Sequence, residues 1–416
     1  KGKSRKPAPG GRRTPAGAVR NKKMRGNNLI HGIKNALSFI AGQGFVRTDI
    51  RVENGRIAEI GEGVCAQGIT LPHGAMVLPA FIDVHIHGAC GADCTDGSVS
   101  ALKKIAGALA AEGTASFLPT LMTQRQDVLC NAARAVQQFM DEDCDACAEA
   151  LGVHLEGPFL SSDYAGGQPK EFIREDFEAV FGQLSAACGD RVKIVTLAPE
   201  ITGYEFIRSL SERGINVSVG HSGCTFAAAE KSIDAGARAF THTFNAQRGF
   251  HHREAGAVGA ALLDDRAYCE LIADCLHVSE PAMRLLVKCK PASKIMLVTD
   301  SVRAKGAPSD YMYREGGLEI RYRGGEVRLS DGTLAGSVLK MNVALKNMVQ
   351  KAKVPLERAV LYCTENPAKY LNEERLGAVS VGKQADFAVL NGEFDVLLTV
   401  KRGKIIYKNR EAGDIV

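Results

Sequence analysis

The sequence predicts a (β/α)₈ barrel beside a small β-sandwich domain that both chain ends build together. Three observations carry this prediction. Eight short apolar runs lie between residues 76 and 300, and most are followed by a segment of helical periodicity. Residues that can titrate or bind metal fall at the ends of those runs. The two chain ends carry short strand patterns with too little apolar surface to stand alone, so pairing with each other is the economical solution.

Residues 1–23 hold nine Lys or Arg and no acid. A basic stretch rich in Pro and Gly reads as a disordered tail, with Met24 the expected start of the protein proper. The total charge of +5 therefore leaves a net negative body, which carries no nucleic-acid signal. At 416 residues, 45% apolar and 24% charged, the chain has the make-up of a globular enzyme with one large core or two domains. No apolar run approaches the ~20 residues of a membrane span, and no apolar leader stands near the start. The twelve cysteines are scattered and read as free thiols of a reducing cytosol, so a cytoplasmic protein with no membrane partner is expected. Cys144 and Cys147 form a C-x-x-C pattern without a second pair, which is a weak metal or redox signal.

Residues 24–76 and 358–416 are assigned to the small domain. Asn54-Gly55 between apolar alternations is a strong hairpin signal, and Asp386–Leu390 and Leu397–Tyr407 repeat the style. Residues 77–357 are assigned to the barrel. Its apolar runs are Val77–His87, Ala115–Thr120, Leu151–Glu156, Val192–Ala198, Val217–His221, Phe240–Phe244, Cys269–Asp274 and Ile295–Asp300. Helical periodicity is clear over Ser98–Glu112, Gln126–Met140 and Pro281–Lys288. An eight-stranded doubly wound sheet shows the same alternation. The polar ends decide for the barrel, because all its strand ends open onto one mouth.

The central stretch is Leu78–Gly88. Residues two apart on a strand share a face, so His85 and His87 point the same way and suit one divalent cation. Glu156, His221, His242, Asp274 and Asp300 end other runs. Glu156 with His221 and His242 makes a two-histidine, one-carboxylate set with an open position, compatible with Zn, Fe, Mn or Co. His85 and His87 could hold a second ion, with Glu156 shared. A bound divalent ion activates water and polarises a carbonyl, and Asp300 could carry a proton from that water to a leaving nitrogen. Hydrolysis of an amide or similar bond is the expected reaction.

From Met24 onward the chain resembles the N-acetylglucosamine-6-phosphate deacetylases of the amidohydrolase superfamily. The motifs that carry the resemblance are Pro79–Gly88, His154–Phe159, Gly220-His221-Ser222, Thr241–Ala246, His252-Arg253-Glu254, Ile272-Ala273-Asp274, Leu297–Asp300 and Leu334–Ser337. The resemblance implies one or two divalent metals per chain, with Glu156, His221 and His242 as ligands and Asp300 as catalytic acid and base. Some members lack the His-x-His pair and hold one metal, so this chain resembles the two-metal branch. It also implies that Gly167, Gln168, Asn245, Ala246, Arg253, His277, Leu334, Ala335 and Gly336 contact an amino-sugar phosphate. A homodimer is implied as well, with Arg253 reaching the neighbouring subunit's phosphate.

The chain departs from the family at several points. Ala165–Gln168 stands where Lys-Gly-Ala-His is usual, so Gln168 replaces a substrate-contacting histidine. Cys275 replaces a glycine, Gln247 a methionine, and Ser301-Val302-Arg303 a run of smaller residues. His154, on the face of Glu156 but deeper, is expected to support the site or the core, and His251 to be solvated. The expected activity is deacetylation of N-acetylglucosamine 6-phosphate. N-acetylgalactosamine 6-phosphate or another N-acyl substrate is the alternative. An inactive scaffold is the remaining reading, and the intact set of ligands and Asp300 argue against it.

Overall fold

The computed structural model describes residues 28–410; the expectation for residues 1–23 lies outside them. Eight parallel strands form the barrel wall: β1 (Phe81–Ile86), β2 (Thr114–Met122), β3 (Val153–Glu156), β4 (Val192–Leu197), β5 (Asn216–Val219), β6 (Ala237–Phe240), β7 (Tyr268–Leu271) and β8 (Ile295–Leu297). They pair in sequence order, as a singly wound barrel requires and a doubly wound sheet does not. The helices α1 (Val99–Ala110), α2 (Gln126–Asp141), α3 (Phe177–Ala187), α4 (Pro199–Glu212), α5 (Phe226–Asp234), α6 (Gly256–Leu263), α7 (Glu280–Cys289) and α8 (Met341–Gln350) follow them. Their apolar faces explain their seats. In α2, Leu129, Ala132, Val136 and Phe139 recur at helical spacing and all are buried. Ser98 caps α1, its hydroxyl accepting from Ala101 N–H.

The run Val77–His87, expected as one strand, is two. Met76–Pro79 belongs to the terminal sheet, where it pairs with Phe387–Leu390 and Gly32–Ile40. At Ala80 the chain changes partners: Ala80 N–H donates to Asp386, and Phe81 N–H donates to Gly113 at the start of the barrel. That terminal sheet runs Lys404–Lys408, Val396–Lys401, Phe387–Leu390, Met76–Pro79, Gly32–Ile40, Gly44–Glu53, Arg56–Gly61, with Ile69–Thr70 beside Gly32–Ile40. The two ends thus share one sheet and one core, including Ile33, Ile50, Val77, Phe387 and Leu398. Asn54 and Gly55 turn the expected hairpin with φ of 50° and 73°, the positive values that the tight turn needs. Between the last barrel helix and the sheet, Leu356–Cys363 (α9) and Glu365–Tyr370 (α10) pack Val360, Tyr362 and Tyr370 into the barrel's core.

A three-stranded antiparallel flap (Tyr311–Glu315, Leu318–Arg323, Glu326–Leu329) stands between β8 and α8, where the sequence suggested no strand. It rests on its own small core of Ile320, Val327, Val302, Ala304 and Ala335. Cys144 and Cys147 are paired as a disulfide, so the twelve thiols expected to be free are ten among the described residues. Three residues of spacing bring the two sulfurs together on one loop. No helix among the described residues is long and apolar enough to cross a membrane.

The barrel closes between β8 and β1 through a polar seam. Asp300 N–H donates to His85 O at 2.9 Å, and His87 N–H donates to Ser301 O at 2.9 Å. Below them the fully buried Asp83 accepts the Thr299 hydroxyl at 2.6 Å and the N–H groups of Thr299 and His85, each at 3.3 Å. Thr299→Val keeps the shape and removes the strongest of these donors. The expected loss is about 1–3 kcal/mol, the cost of stranding a buried polar group. It would be read as a lower urea midpoint, with Thr299→Ser near wild type. A Thr299→Val protein as stable as wild type would show that the two N–H groups suffice.

Candidate active site

The site sits at the carboxyl ends of the strands. His85 and His87 lie on and just past β1, and Glu156 ends β3. His221, His242 and Asp300 follow β5, β6 and β8 by two or three residues. These three have φ of 48°, 30° and 46°, a left-handed backbone that non-glycine residues adopt only when their surroundings impose it. It turns their side chains inward just as the chain leaves the strand. All six are buried, Asp300 the least at 8% exposed.

Their polar atoms converge on Glu156. Its Oε1 lies 3.1 Å from His221 Nε2, 3.0 Å from His242 Nε2 and 3.4 Å from His85 Nε2. Its Oε2 lies 3.2 Å from His87 Nε2. Asp300 Oδ1 is 3.2 Å from His87 Nε2 and 3.6 Å from His85 Nε2. The two histidine pairs face each other closely, His85 to His87 at 3.3 Å and His221 to His242 at 3.1 Å between Nε2 atoms.

The outer ring nitrogens decide what faces inward. His221 Nδ1 donates to the Tyr164 carbonyl at 3.0 Å, and His85 Nδ1 bonds the Glu270 carboxylate at 2.9 Å. A neutral imidazole that donates from Nδ1 carries a lone pair at Nε2. At His85 and His221 a lone pair therefore faces the Glu156 carboxylate, an arrangement that positive charge satisfies, whereas the outer nitrogens of His87 and His242 are buried without a partner. Separations of 3.0–3.4 Å among the inward-facing atoms fall at or a little inside the edges, roughly 3.3–3.6 Å, of a tetrahedral site with bonds of about 2.0–2.2 Å. Two triads fit, His85/His87/Glu156 and Glu156/His221/His242, and they share Glu156. A third geometric set, His85/His154/Glu270, does not fit chemically. His154 already bonds the Val84 carbonyl at 3.0 Å and the Thr196 hydroxyl at 2.8 Å. Burial holds His154 well below its usual pKa, with His85 adding to the effect, so it is a neutral support. The cluster as a whole selects a cation.

Above it lies a cavity of about 370 Å³. Gly167, Gln168, Asn245, Ala246, His277, Leu334, Ala335 and Gly336 all line it, as the sequence suggested. A Cβ on Gly167 would meet Ala335 at 3.3 Å, so a side chain there would press on that wall of the cavity. Asp274 does not join the cluster. Its Oδ1 accepts from the N–H groups of Leu276 and His277, and its Oδ2 bonds His277 Nδ1 at 2.6 Å. Burial opposes protonation of His277, yet this bond outweighs it and raises its pKa. Arg253 is not brought to the cavity. It lies on an exposed shallow face with Phe226, Phe250, His252 and Leu263. Phe250 and Leu263 are 62% and 66% exposed there.

Sequence reasoning missed Glu270, Arg328 and Glu315. Glu270 is a fully buried carboxylate under His85; a charge inside the apolar run Cys269–Ile272 was its signal. Arg328 and Glu315 reach the cavity from the flap, which had no signal at all. Arg303 fastens that flap. Its guanidinium reaches Glu315 at 3.2 Å and Asp96 at 3.0 Å, and the Thr95 hydroxyl lies between Asp93 at 2.6 Å and Glu315 at 3.2 Å. Burial, with Asp93 adding, pushes the Glu315 carboxyl up to about 8 despite Arg303.

A barrel with carboxylates and histidines converging at its mouth defines a metal-dependent hydrolase. The amidohydrolase family model matches residues 76–406, and the chain belongs to the amidohydrolase family. It is 41% identical over 351 residues to the N-acetylglucosamine-6-phosphate deacetylase of Bacillus subtilis (strain 168), covering 83% of this chain and 88% of that one. It is 36% identical over 349 residues to the N-acetylgalactosamine-6-phosphate deacetylase of Escherichia coli O157:H7, covering 83% and 91%. The fold is similar to the crystal structure of N-acetylglucosamine-6-phosphate deacetylase from Thermotoga maritima, with a TM-score of 0.83 and 31% identity over 91% of this chain and 100% of that one. The D267A mutant of the Mycobacterium smegmatis enzyme, in complex with N-acetyl-D-glucosamine-6-phosphate, gives a TM-score of 0.85 at 27% identity, covering 91% and 100%.

Arg303→Met would leave Glu315 and Asp93 buried without their cation. Glu315 is protonated near neutral pH, so the expected cost is that of a lost buried hydrogen bond, about 1–3 kcal/mol, read as faster hydrogen exchange over residues 311–329. Arg303→Met/Glu315→Gln should recover part of it. Because the pKa of docked Glu315 is raised, the stability it contributes is greatest at low pH and is lost as pH rises through about 8. Protection factors over residues 311–329, which remove the intrinsic pH dependence of amide exchange, should accordingly fall from about pH 4.5 to about pH 8 and level off above it, and Glu315→Gln should abolish that fall. Flap exchange unaffected by either change would mean that the apolar contacts alone hold it.

Proposed function

We propose that the enzyme removes the N-acetyl group of N-acetylglucosamine 6-phosphate, releasing acetate and glucosamine 6-phosphate. One observation carries the chemistry: Asp300 stands beside a histidine–carboxylate cluster that selects a cation, at the floor of a cavity of about 370 Å³. The substrate follows from the similarity to N-acetylglucosamine-6-phosphate deacetylases.

In this reading Glu156, His221 and His242 hold one divalent ion, and His85 and His87 with the shared Glu156 hold a second. Zinc, iron, manganese and cobalt all suit that donor set. When bound, a divalent ion makes water acidic and polarises the acetyl carbonyl. Asp300 takes the proton of the attacking water and delivers it to the departing nitrogen, which leaves only when protonated. His277, fixed by Asp274, keeps Nε2 to donate to a sugar oxygen. Asn245 Nδ2 gives one N–H to the His242 carbonyl at 3.1 Å, which leaves its other N–H and its Oδ1 for substrate. Gly167, Ala246 and Leu334–Gly336 form the walls around the sugar.

Arg253 faces away from this chain's own cavity. It serves a second copy: the exposed Phe250 and Leu263 beside it make the dimer contact, and its guanidinium reaches the partner's phosphate. The enzyme works in the cytosol, a reading supported by ten unpaired cysteines, with the Cys144–Cys147 pair the exception. A second substrate, N-acetylgalactosamine 6-phosphate, is supported by the similarity to a deacetylase of that sugar.

Acetate release from both sugar phosphates and from unphosphorylated N-acetylglucosamine tests the reading. The expected order is N-acetylglucosamine 6-phosphate first and the unphosphorylated sugar last. No acetate from any of them would sink the proposal. Asp300→Asn should fold, keep its metal and lose roughly 10²–10⁴ in kcat, the range for general acid–base catalysis. A fully metallated variant within a few-fold of wild type would move the proton shuttle elsewhere. Arg253→Ala should raise KM for phosphorylated substrates only, and sedimentation should give a dimer. An equal loss on the unphosphorylated sugar would refute a phosphate role.

A further inference from the structure

We infer that Gln168 is a positioning residue for Glu156 rather than chiefly a contact for the sugar, and that it sets the affinity of the His85/His87 half of the metal centre. The inference rests on the reading that this cluster holds divalent metal.

Gln168 is 6% exposed and lies on the segment that follows β3. Its side-chain amide bridges two strand ends. Oε1 accepts the backbone N–H of Thr123 at 2.8 Å, directly after β2. Nε2 donates to Glu156 Oε2 at the end of β3. The orientation is forced. A backbone N–H can only meet the oxygen of the amide, and a carboxylate can only meet its NH₂. The reverse orientation would set donor against donor and acceptor against acceptor.

The contact falls on a particular oxygen. Glu156 Oε1 already faces His85, His221 and His242. Oε2 faces His87 at 3.2 Å, and the Gln168 amide is its other neighbour. Glu156 could otherwise turn about its last side-chain bond and carry Oε2 away from His87. With Thr123 fixed in the barrel wall and wholly buried, Gln168 prevents that turn. It does so without adding charge, so it does not compete with a cation as a lysine or a protonated histidine would. The amide retains a single uncommitted N–H for substrate, whereas its oxygen is used.

Partners of this kind typically change metal affinity 10–100-fold when removed. The test measures metal per chain by elemental analysis after dialysis, and the rate of metal loss to a chelator. It uses wild type, Gln168→Leu, Gln168→His and the His85→Asn/His87→Asn double variant. Wild type should hold two ions, and the double variant one. Gln168→Leu should hold one ion tightly and lose the second roughly 10–100 times faster than wild type. Its KM should stay within about threefold while kcat falls. Gln168→His, whose ring can accept at one nitrogen and donate at the other, should restore part of the second site. If Gln168→Leu fails to fold, Gln168→His carries the test, with an intermediate chelation rate expected. Two ions lost at the wild-type rate from the folded Gln168 variants, with KM raised instead, would overturn this inference alone. No metal in wild type, or an unchanged count in the double variant, would overturn the metal reading and this inference with it.

Discussion

Four imidazoles and one carboxylate share a few ångströms at the barrel mouth, and the polar interior is arranged to keep Glu156 at their centre. Each histidine is aimed by a group behind it or by the backbone. Glu270 holds His85 and accepts the His242 N–H at 3.1 Å. The Tyr164 carbonyl holds His221. Beneath them runs a hydrogen-bonded layer, His154 to Thr196 to Thr241 to Ser218, with links of 2.8, 2.8 and 2.6 Å. A barrel core is usually filled with branched apolar side chains. Here its upper layers are polar, because buried charges have to be oriented and satisfied.

The same demand explains the seam. β1 carries the inward series Asp83, His85 and His87, so its inner face cannot supply apolar packing against β8. Asp83 and Thr299 join the two strands instead, while Ile82, Val84 and Ile86 face the helices and are fully buried. The flap then depends on the seam's extension. Arg303 leaves β8 two residues after Ser301 and reaches both the β1–α1 loop at Asp96 and the flap at Glu315. Closure of the barrel and placement of the flap are thus coupled through one short stretch.

The parts legible in the sequence were those with strong local signals. Apolar runs ending in histidine or carboxylate marked the strands and the cluster, and Asn54-Gly55 marked its hairpin. What stayed hidden was set by tertiary context. Nothing local splits the run Val77–His87; its first part leaves for the terminal sheet because Phe387–Leu390 lies there to pair with it. The flap strands carry Arg314, Glu319, Arg321 and Arg323 and bury few side chains, so their alternation reads as charged loop. Glu315 and Arg303 become a pair only through the docking of that flap. The Cys144–Cys147 pairing is local, but a lone C-x-x-C does not say whether its thiols join.

The departures from the family bear on which sugar the site accepts, and most of them face away from it. Gln247 donates from Nε2 to Thr241 O at 2.8 Å and Val219 O at 3.3 Å, bracing β5 against β6. Cys275 is exposed, with φ of 67° where a glycine is usual. That substitution costs roughly 1–2 kcal/mol of backbone strain and places no side chain on the cavity wall. Arg303 is occupied with Glu315 and Asp96. Gly167, Gln168 and Val302 line the cavity, and Gly167 brings no side chain. Gln168 bonds Glu156, and Val302 packs against Gly336, where a Cβ would meet it at 2.4 Å. A change of sugar stereochemistry moves one hydroxyl, and discriminating it calls for a new polar partner at that hydroxyl. Among these replacements only Gln168 offers one, the single N–H that its bonds to Thr123 and Glu156 leave over. They alter how the site is held, which is why they weigh little against N-acetylglucosamine 6-phosphate as the substrate.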